Sequence, residues 1–125
     1  MAEKKILIVE DEIEFAEMVK VRLEGAGYSA DIALDAYEGN KSIMNTNYDL
    51  IVLDLAMPVG NGLELLEHVR EHPDKADIPV VIMTGKLVDD YVLSKAKELN
   101  VSAIFTKPYD SELFIEKVTS LVPTS

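Results

Sequence analysis

The sequence has no cysteine and little glycine or proline. Without a thiol among its 125 residues, the chain cannot form a disulfide framework, an iron–sulfur cluster, a thiolate metal site or a cysteine nucleophile. Six glycines and five prolines are too few for a fibrous or disordered chain, and the 48% of hydrophobic residues can build a core. We therefore expect one globular domain over residues 1–125.

Basic residues and long apolar segments are also scarce. Twelve Lys and Arg stand against 23 Asp and Glu, which gives a formal net charge of -11. Nucleic-acid phosphates and anionic membrane surfaces repel such a chain. The first apolar run, Ile6–Val9, is far shorter than a signal peptide or the roughly 20 residues of a membrane span. The sequence predicts a cytoplasmic protein without direct contact to nucleic acid or membrane.

Short β-branched runs alternate with longer amphipathic stretches. The runs predict strands at Ile6–Val9, Ser29–Leu34, Leu50–Leu53, Val80–Met83 and Ala103–Phe105. The stretches predict helices at Glu12–Gly25, Ala36–Asn45, Gly62–Glu71, Leu87–Leu99 and from a cap at Asp110 to Leu121. Four runs are almost wholly apolar, as in strands covered on both faces, whereas the second carries Asp31 and is predicted nearer an edge. This alternation predicts an α/β fold with a single doubly wound parallel sheet.

Apolar spacing also predicts which face of two helices packs on the sheet. The predicted face of the first helix comprises Ile13, Ala16, Val19, Lys20 and Leu23. The predicted face of the last helix comprises Leu113, Phe114, Val118 and Leu121.

Polar residues follow four of the predicted strands. The acids Glu10, Asp11 and Glu12 follow the first strand, Asp54 ends the third, Thr84 ends the fourth and Lys107 follows the fifth. Each one alone has an ordinary explanation as a turn residue, a helix cap or a surface charge. Ligands of open α/β sheets bind beyond the carboxyl ends of the strands. Together these residues therefore form one chemically complementary set.

The charges of this set indicate the kind of site. The carboxylates of Glu10, Asp11 and Asp54 would repel one another, and Lys107 offsets only one of their three charges. Mg²⁺ suits such oxygen ligands and leaves room for phosphate oxygens. Lys107 and the hydroxyl of Thr84 can then hold an incoming phosphoryl group. Asp54 becomes a candidate nucleophile for an aspartyl phosphate.

Four short motifs carry these residues. They read ILIVEDE at 6–12, LDLAMPVGNG at 53–62, MTG at 83–85 and FTKP at 105–108. In this order and spacing they closely resemble the receiver domain of two-component response regulators, over a core of about residues 5–122. The resemblance implies a flavodoxin-like sheet in the strand order 2-1-3-4-5 with five helices.

The resemblance implies a role for each site residue. Asp54 would accept a phosphoryl group from a phosphohistidine of a histidine kinase or a histidine phosphotransfer protein. Mg²⁺ would be bound by Asp11, by Asp54 and by the backbone carbonyl of Ala56, with Glu10 acting through a metal-bound water. Lys107 would contact the phosphoryl group.

The resemblance also implies a conformational switch. Thr84 would move toward the phosphoryl group, Phe105 would swing inward, and the bond before Pro108 would be cis. The surface of helix 4, strand 5 and helix 5 would then change its binding of a downstream protein partner. Such a protein is no turnover enzyme on an external substrate. It would assist its own phosphorylation and dephosphorylation, as a monomer or weak dimer.

Other interpretations remain beside this one. A phosphatase of the haloacid-dehalogenase type needs a second acid two residues after the nucleophile, where this chain has Ala56. A flavin-binding module needs a hydroxyl- and glycine-rich loop after the first strand, where the three acids of 10–12 would repel the flavin phosphate. A receiver fragment of a larger response regulator or hybrid kinase stays open. An unphosphorylated receiver-like scaffold also stays open, although the intact acid, Thr and Lys set argues against it.

Overall fold

A computed structural model describes residues 3–57, 62–85 and 89–124, in which strands and helices alternate. The strands are β1 (Lys5–Val9), β2 (Ser29–Ala33), β3 (Leu50–Leu53), β4 (Val80–Thr84) and β5 (Ala103–Thr106). The helices are α1 (Ile13–Gly25), α2 (Ala36–Asn45), α3 (Gly62–Glu71), α4 (Asp90–Glu98) and α5 (Ser111–Leu121). The predicted start of the fourth helix, Leu87 and Val88, lies outside the described residues. Among the helices described, none is long and apolar enough to cross a membrane.

The strands form one parallel sheet in the order β2-β1-β3-β4-β5. The predicted fold class and strand order are thus confirmed. Strand β2, which carries Asp31, lies at an edge of the sheet as its mixed composition predicted. The chain leaves β1 toward β2 and then returns past β1 to β3. This reversal opens a crevice at the carboxyl ends of β1 and β3.

The sheet separates two apolar layers. Strand side chains of one face pack with α2, α3 and α4, and include Leu7, Val9, Ile51, Leu53, Val80 and Ile82. Those of the other face pack with α1 and α5, and include Ile6, Ile8, Leu50, Val52, Val81 and Met83. Because both faces are covered, β1, β3 and β4 read as continuous apolar runs rather than as alternating ones.

Both predicted helix faces are partly wrong. Ile13 is 46% exposed and Leu113 is 55% exposed. In α1, Phe15 packs against the core beside Val19 and Leu23, and these residues recur every fourth position. At 100° per residue, Ile13 projects about a third of a turn from the centre of that stripe. Leu113 likewise projects roughly a third of a turn away from the buried side of α5.

Gly62 sets how closely α3 approaches the end of β3. A Cβ atom at this position would lie 2.5 Å from the carbonyl oxygen of Asp54 and 3.0 Å from the Cα of Leu55. Both neighbours are backbone atoms, which cannot turn aside as a side chain could. The first residue of α3 therefore packs directly on the backbone that carries Asp54.

Replacing Gly62 by alanine, which adds a methyl group at this position, should destabilise the fold. We expect Gly62→Ala to lower the free energy of unfolding by about 1–3 kcal/mol, the usual cost of overpacking. The matched control is Gly25→Ala at the end of α1, where a Cβ would meet nothing within 4 Å. That change should be neutral or stabilising by up to about 1 kcal/mol. Urea denaturation of both variants measures the difference, and equal responses would contradict the proposed packing constraint.

Candidate functional site

Backbone pairing carries four polar side chains to the carboxyl edge of the sheet. Glu10 follows β1, Asp54 follows β3, Thr84 ends β4 and Lys107 follows β5. The N–H of Asp54 donates to the carbonyl of Val9 at 3.0 Å. The N–H of Lys107 donates to the carbonyl of Thr84 at 2.7 Å. Backbone hydrogen bonds between neighbouring chain segments thus continue beyond the strands and set the positions of the residues that follow them.

The carboxylate of Asp54 is buried and held by several donors. Its Oδ1 accepts the hydroxyl of Thr84 at 3.1 Å and the N–H of Ala56 at 2.9 Å. Its Oδ2 lies 3.5 Å from the Nζ of Lys107. Only 4% of the surface of Asp54 is exposed. These contacts fix the orientation of the carboxylate and place a hydroxyl donor and a cation beside it.

Lys107 is the cation at the centre of the cluster. Its Nζ lies 2.7 Å from Oε1 of Glu10 and 3.4 Å from Oε1 of Glu12. Burial by itself lowers the pKa of Lys107. The hydrogen bond to Glu10 and the negative charges of Asp54 and Glu10 outweigh that effect and raise the pKa overall. The ammonium therefore stays charged at neutral pH.

Glu10 is the acid whose protonation this environment changes most. Its residue surface is 2% exposed, and this burial raises its pKa from the ordinary 4.5 to about 7. The hydrogen bonds from Lys107 and from the N–H of Glu12 act in the opposite direction, and the charge of Asp54 adds to the rise. Around neutral pH, the carboxyl of Glu10 can therefore take up or release a proton.

The acids also form a set that could hold a metal ion. Glu10, Asp11 and Asp54 each offer a carboxylate oxygen, and these oxygens lie within 4.8 Å of one another. Three carboxylates beside a single lysine are a strongly negative group. Hard divalent cations such as Mg²⁺ prefer oxygen ligands of this kind. The donor set therefore fits such an ion.

The structure brings the predicted site residues together. The hydroxyl, the lysine and the three acids, namely Thr84, Lys107, Glu10, Asp11 and Asp54, meet at one end of the sheet. The peptide bond between Lys107 and Pro108 is cis, as predicted. Phe105 lies on β5 with its ring edge-on to that of Phe114, at 5.8 Å between centroids. The roles predicted for these residues in phosphorylation, metal binding and switching stay predictions, as does metal binding by the Ala56 carbonyl.

The family of the chain follows from its match to known sequences. Residues 6–119 match the family model described as the response regulator receiver domain. The chain belongs to the response regulator receiver family. The predicted resemblance is thereby confirmed. Receiver domains are the phosphoacceptor switches of two-component regulatory systems, and this is the function class of the chain.

Curated relatives of this receiver are longer proteins. Response regulator ArlR of Staphylococcus saprophyticus is 33% identical over 118 residues, covering 94% of the chain and 52% of the relative. Transcriptional regulatory protein DltR of Streptococcus agalactiae is 32% identical over 114 residues, covering 91% of the chain and 50% of the relative. The chain spans about half the length of the curated relatives it matches.

Solved structures show the same receiver fold. The signal receiver domain of a DNA-binding response regulator from Colwellia psychrerythraea has a TM-score of 0.86 at 30% identity, covering 95% of this chain and 98% of that one. Chemotaxis protein CheY4 of Vibrio cholerae has a TM-score of 0.87 at 25% identity, covering 97% of this chain and all of that one (100%).

Two residues that shape the site were not predicted from the sequence. Gly62 packs on the carbonyl of Asp54, and the ring of Phe15 lies over the Nζ of Lys107 at 4.3 Å from its centroid. The recurrence of apolar residues at Phe15, Val19 and Leu23 could have identified Phe15 as inward-facing. A glycine at the start of a helix carries no comparable signal.

The raised pKa of Glu10 predicts a pH-dependent stability in the absence of divalent cations. The folded state holds the proton of Glu10 up to about pH 7, whereas the unfolded chain releases it near 4.5. The free energy of unfolding should therefore fall as pH rises through this window, because the folded state binds more protons than the unfolded state. Glu10→Gln should lose this part of the pH dependence.

Urea denaturation in chelator at several pH values between 4.5 and 8 measures the effect. Glu64→Gln, on the exposed side of α3, is the matched control and should keep the wild-type slope. A slope that is the same in wild type and in Glu10→Gln would show that Glu10 is not the titrating group.

Proposed function

We propose that this receiver accepts a phosphoryl group on Asp54 from a phosphohistidine of a histidine kinase or a histidine phosphotransfer protein. The observation that carries the proposal is the environment of the Asp54 carboxylate. It lies between the hydroxyl of Thr84 and the ammonium of Lys107, and beside two further acids. This combination supplies a nucleophile, two groups that can hold phosphoryl oxygens, and a set of metal ligands.

The proposed step transfers one phosphoryl group without net oxidation or reduction. A carboxylate oxygen of Asp54 forms a bond to phosphorus as the bond between phosphorus and the donor imidazole nitrogen breaks. The electron pair of that bond stays on this nitrogen, and a proton carried by the other ring nitrogen of the donor lets the ring leave as neutral imidazole. Lys107 balances charge on the phosphoryl oxygens, and the hydroxyl of Thr84 donates to one of them.

The acidic cluster would hold Mg²⁺ for this reaction. Asp11, Asp54 and the backbone carbonyl of Ala56 are the proposed direct ligands, and Glu10 is the proposed ligand through water. When bound, Mg²⁺ offsets the carboxylate charges that would otherwise repel an incoming phosphate. The same residues assist phosphorylation and dephosphorylation of this chain, and no external substrate is turned over.

Phosphorylation is proposed to act on the surface of α4, β5 and α5. Thr84 ends β4. Phe105 lies on the neighbouring strand β5, where it pairs with Met83 of β4. A shift of Thr84 toward the phosphoryl group would free space for Phe105 to move inward. The changed surface would alter the binding of a downstream protein partner. One relative is a transcriptional regulatory protein, of which this chain covers 50%. This similarity favours a role of the receiver within, or beside, a longer regulator.

Intact mass after incubation with acetyl phosphate tests the phosphoacceptor. We expect one phosphoryl adduct per chain with Mg²⁺, none with chelator, and none in Asp54→Ala. Asp74→Asn, an exposed acid outside the cluster, is the control and should be labelled like wild type. A Mg²⁺-dependent adduct that persists in Asp54→Ala would overturn the assignment. If acetyl phosphate gives no adduct, a phosphorylated histidine donor protein replaces it in the same assay, and absence of transfer then overturns the proposal.

Thermal unfolding tests the metal site. Mg²⁺ should raise the Tm of wild type, since a ligand that binds only the folded state stabilises it. Asp11→Asn should show a Tm in chelator at or above that of wild type, because one repelling charge is gone. Its Tm should respond less to Mg²⁺. Glu14→Gln, on the exposed face of α1, should respond like wild type, and an undiminished response of Asp11→Asn would exclude it as a ligand.

A further inference from the structure

An aromatic side chain of α1 lies against the site lysine. The Nζ of Lys107 lies over the ring of Phe15, at 4.3 Å from its centroid. That ring stands edge-on to Tyr109, at 5.8 Å between centroids, and Tyr109 stands edge-on to Phe114, at 5.5 Å. Phe114 is fully buried. The ring that faces the ammonium is therefore held by other rings that extend into the core.

The geometry meets the conditions for a cation–π interaction. Such contacts form when an ammonium lies within about 6 Å of a ring centroid, and they strengthen as water is excluded. The side chain of Lys107 is only 16% exposed. Phe15 itself is half-buried and packs against the core layer under α1 and α5. Little water can compete for this face of the ammonium.

The other close partners of Lys107 are carboxylates. Glu10, at 2.7 Å, and Asp54, at 3.5 Å, also belong to the acidic cluster. The third carboxylate, of Glu12 at 3.4 Å, is largely exposed to water, which weakens its hold on the ammonium. A carboxylate that turns toward a cation or a phosphoryl group loosens its hold on the lysine. The ring of Phe15 is not a metal ligand and carries no net charge. It can hold the ammonium while leaving its positive charge and its N–H donors available.

We propose that Phe15 is a positioning residue for phosphoryl transfer, holding the ammonium of Lys107 beside Asp54 through its ring face. This inference rests on the proposed function. It goes beyond core packing, since a leucine at position 15 would also cover the apolar layer but would offer no ring face to the lysine. The distinction can therefore be measured with variants of similar size.

The first measurement is the rate of phosphorylation by acetyl phosphate with Mg²⁺, followed by intact mass. Phe15→Leu should be slower by about threefold to tenfold, the size expected for a partly desolvated cation–π contact. Phe15→Tyr should react at the wild-type rate, because the ring of tyrosine also binds cations. Replacing Phe15 by 3,4,5-trifluorophenylalanine keeps the shape but weakens the ring quadrupole, and should slow the reaction as leucine does. Met18→Leu, at a position of α1 that is 61% exposed, should leave the rate unchanged.

The second measurement does not depend on phosphorylation. The ε-methylene protons of Lys107 should show upfield NMR shifts from the ring current of Phe15. These shifts should vanish in Phe15→Leu and persist in Phe15→Tyr. Urea denaturation of each variant confirms that it is folded under the assay conditions.

The outcomes separate the two proposals. If the wild type takes no phosphoryl group from any donor, the proposed function fails, whereas the NMR shifts still report the contact. If the wild type is phosphorylated and the folded leucine and trifluorophenylalanine variants react at its rate, the positioning role of Phe15 is wrong. Slowing by leucine without slowing by trifluorophenylalanine would assign the effect to packing and would also overturn the proposal.

Discussion

The covering of the sheet on both faces is the constraint on which this receiver depends. With helices on either side, the strands β1, β3 and β4 offer apolar side chains to both layers, and their polar residues, Lys5 and Thr84, stand at strand ends. A charged group on either face would be buried without solvent, at high cost in free energy. Polar residues are therefore confined to the ends of the strands. Parallel pairing then collects those ends at one edge, which is why residues far apart in sequence form a single site.

Charge imbalance governs the chemistry of that edge. Three carboxylates and one lysine are held at short range by backbone positions that cannot relax without breaking the sheet. Burial and the neighbouring Asp54 raise the pKa of Glu10, and Lys107 only partly opposes the change. A site whose ionised carboxylates repel one another is stabilised by a divalent cation. The same electrostatic cost that weakens the fold would therefore favour the binding of such a cation.

The site and the surface behind it share structural elements. Thr84, which donates to Asp54, ends the strand that pairs with β5. Phe105 on β5 packs edge-on against Phe114 of α5. The hydrogen bond of Thr84 and the pairing of β4 with β5 thus connect the carboxylate of Asp54 to the strand that carries Phe105. The proposed switch would be two-state rather than gradual, because packed side chains resist continuous deformation.

The order of elements, the parallel sheet and the set of polar residues at its carboxyl edge could all be predicted from the sequence. These features are local: apolar runs mark β1, β3 and β4, and Asp54, Thr84 and Lys107 are placed by the strands that precede them. The exposure of Ile13 and the contact between Phe15 and Lys107 could not be predicted in this way and are seen only in the folded protein. The same holds for the close approach of Gly62 to Asp54. Such contacts depend on how α1 and α3 are rotated and docked on the sheet, and that geometry arises from packing among residues distant in sequence.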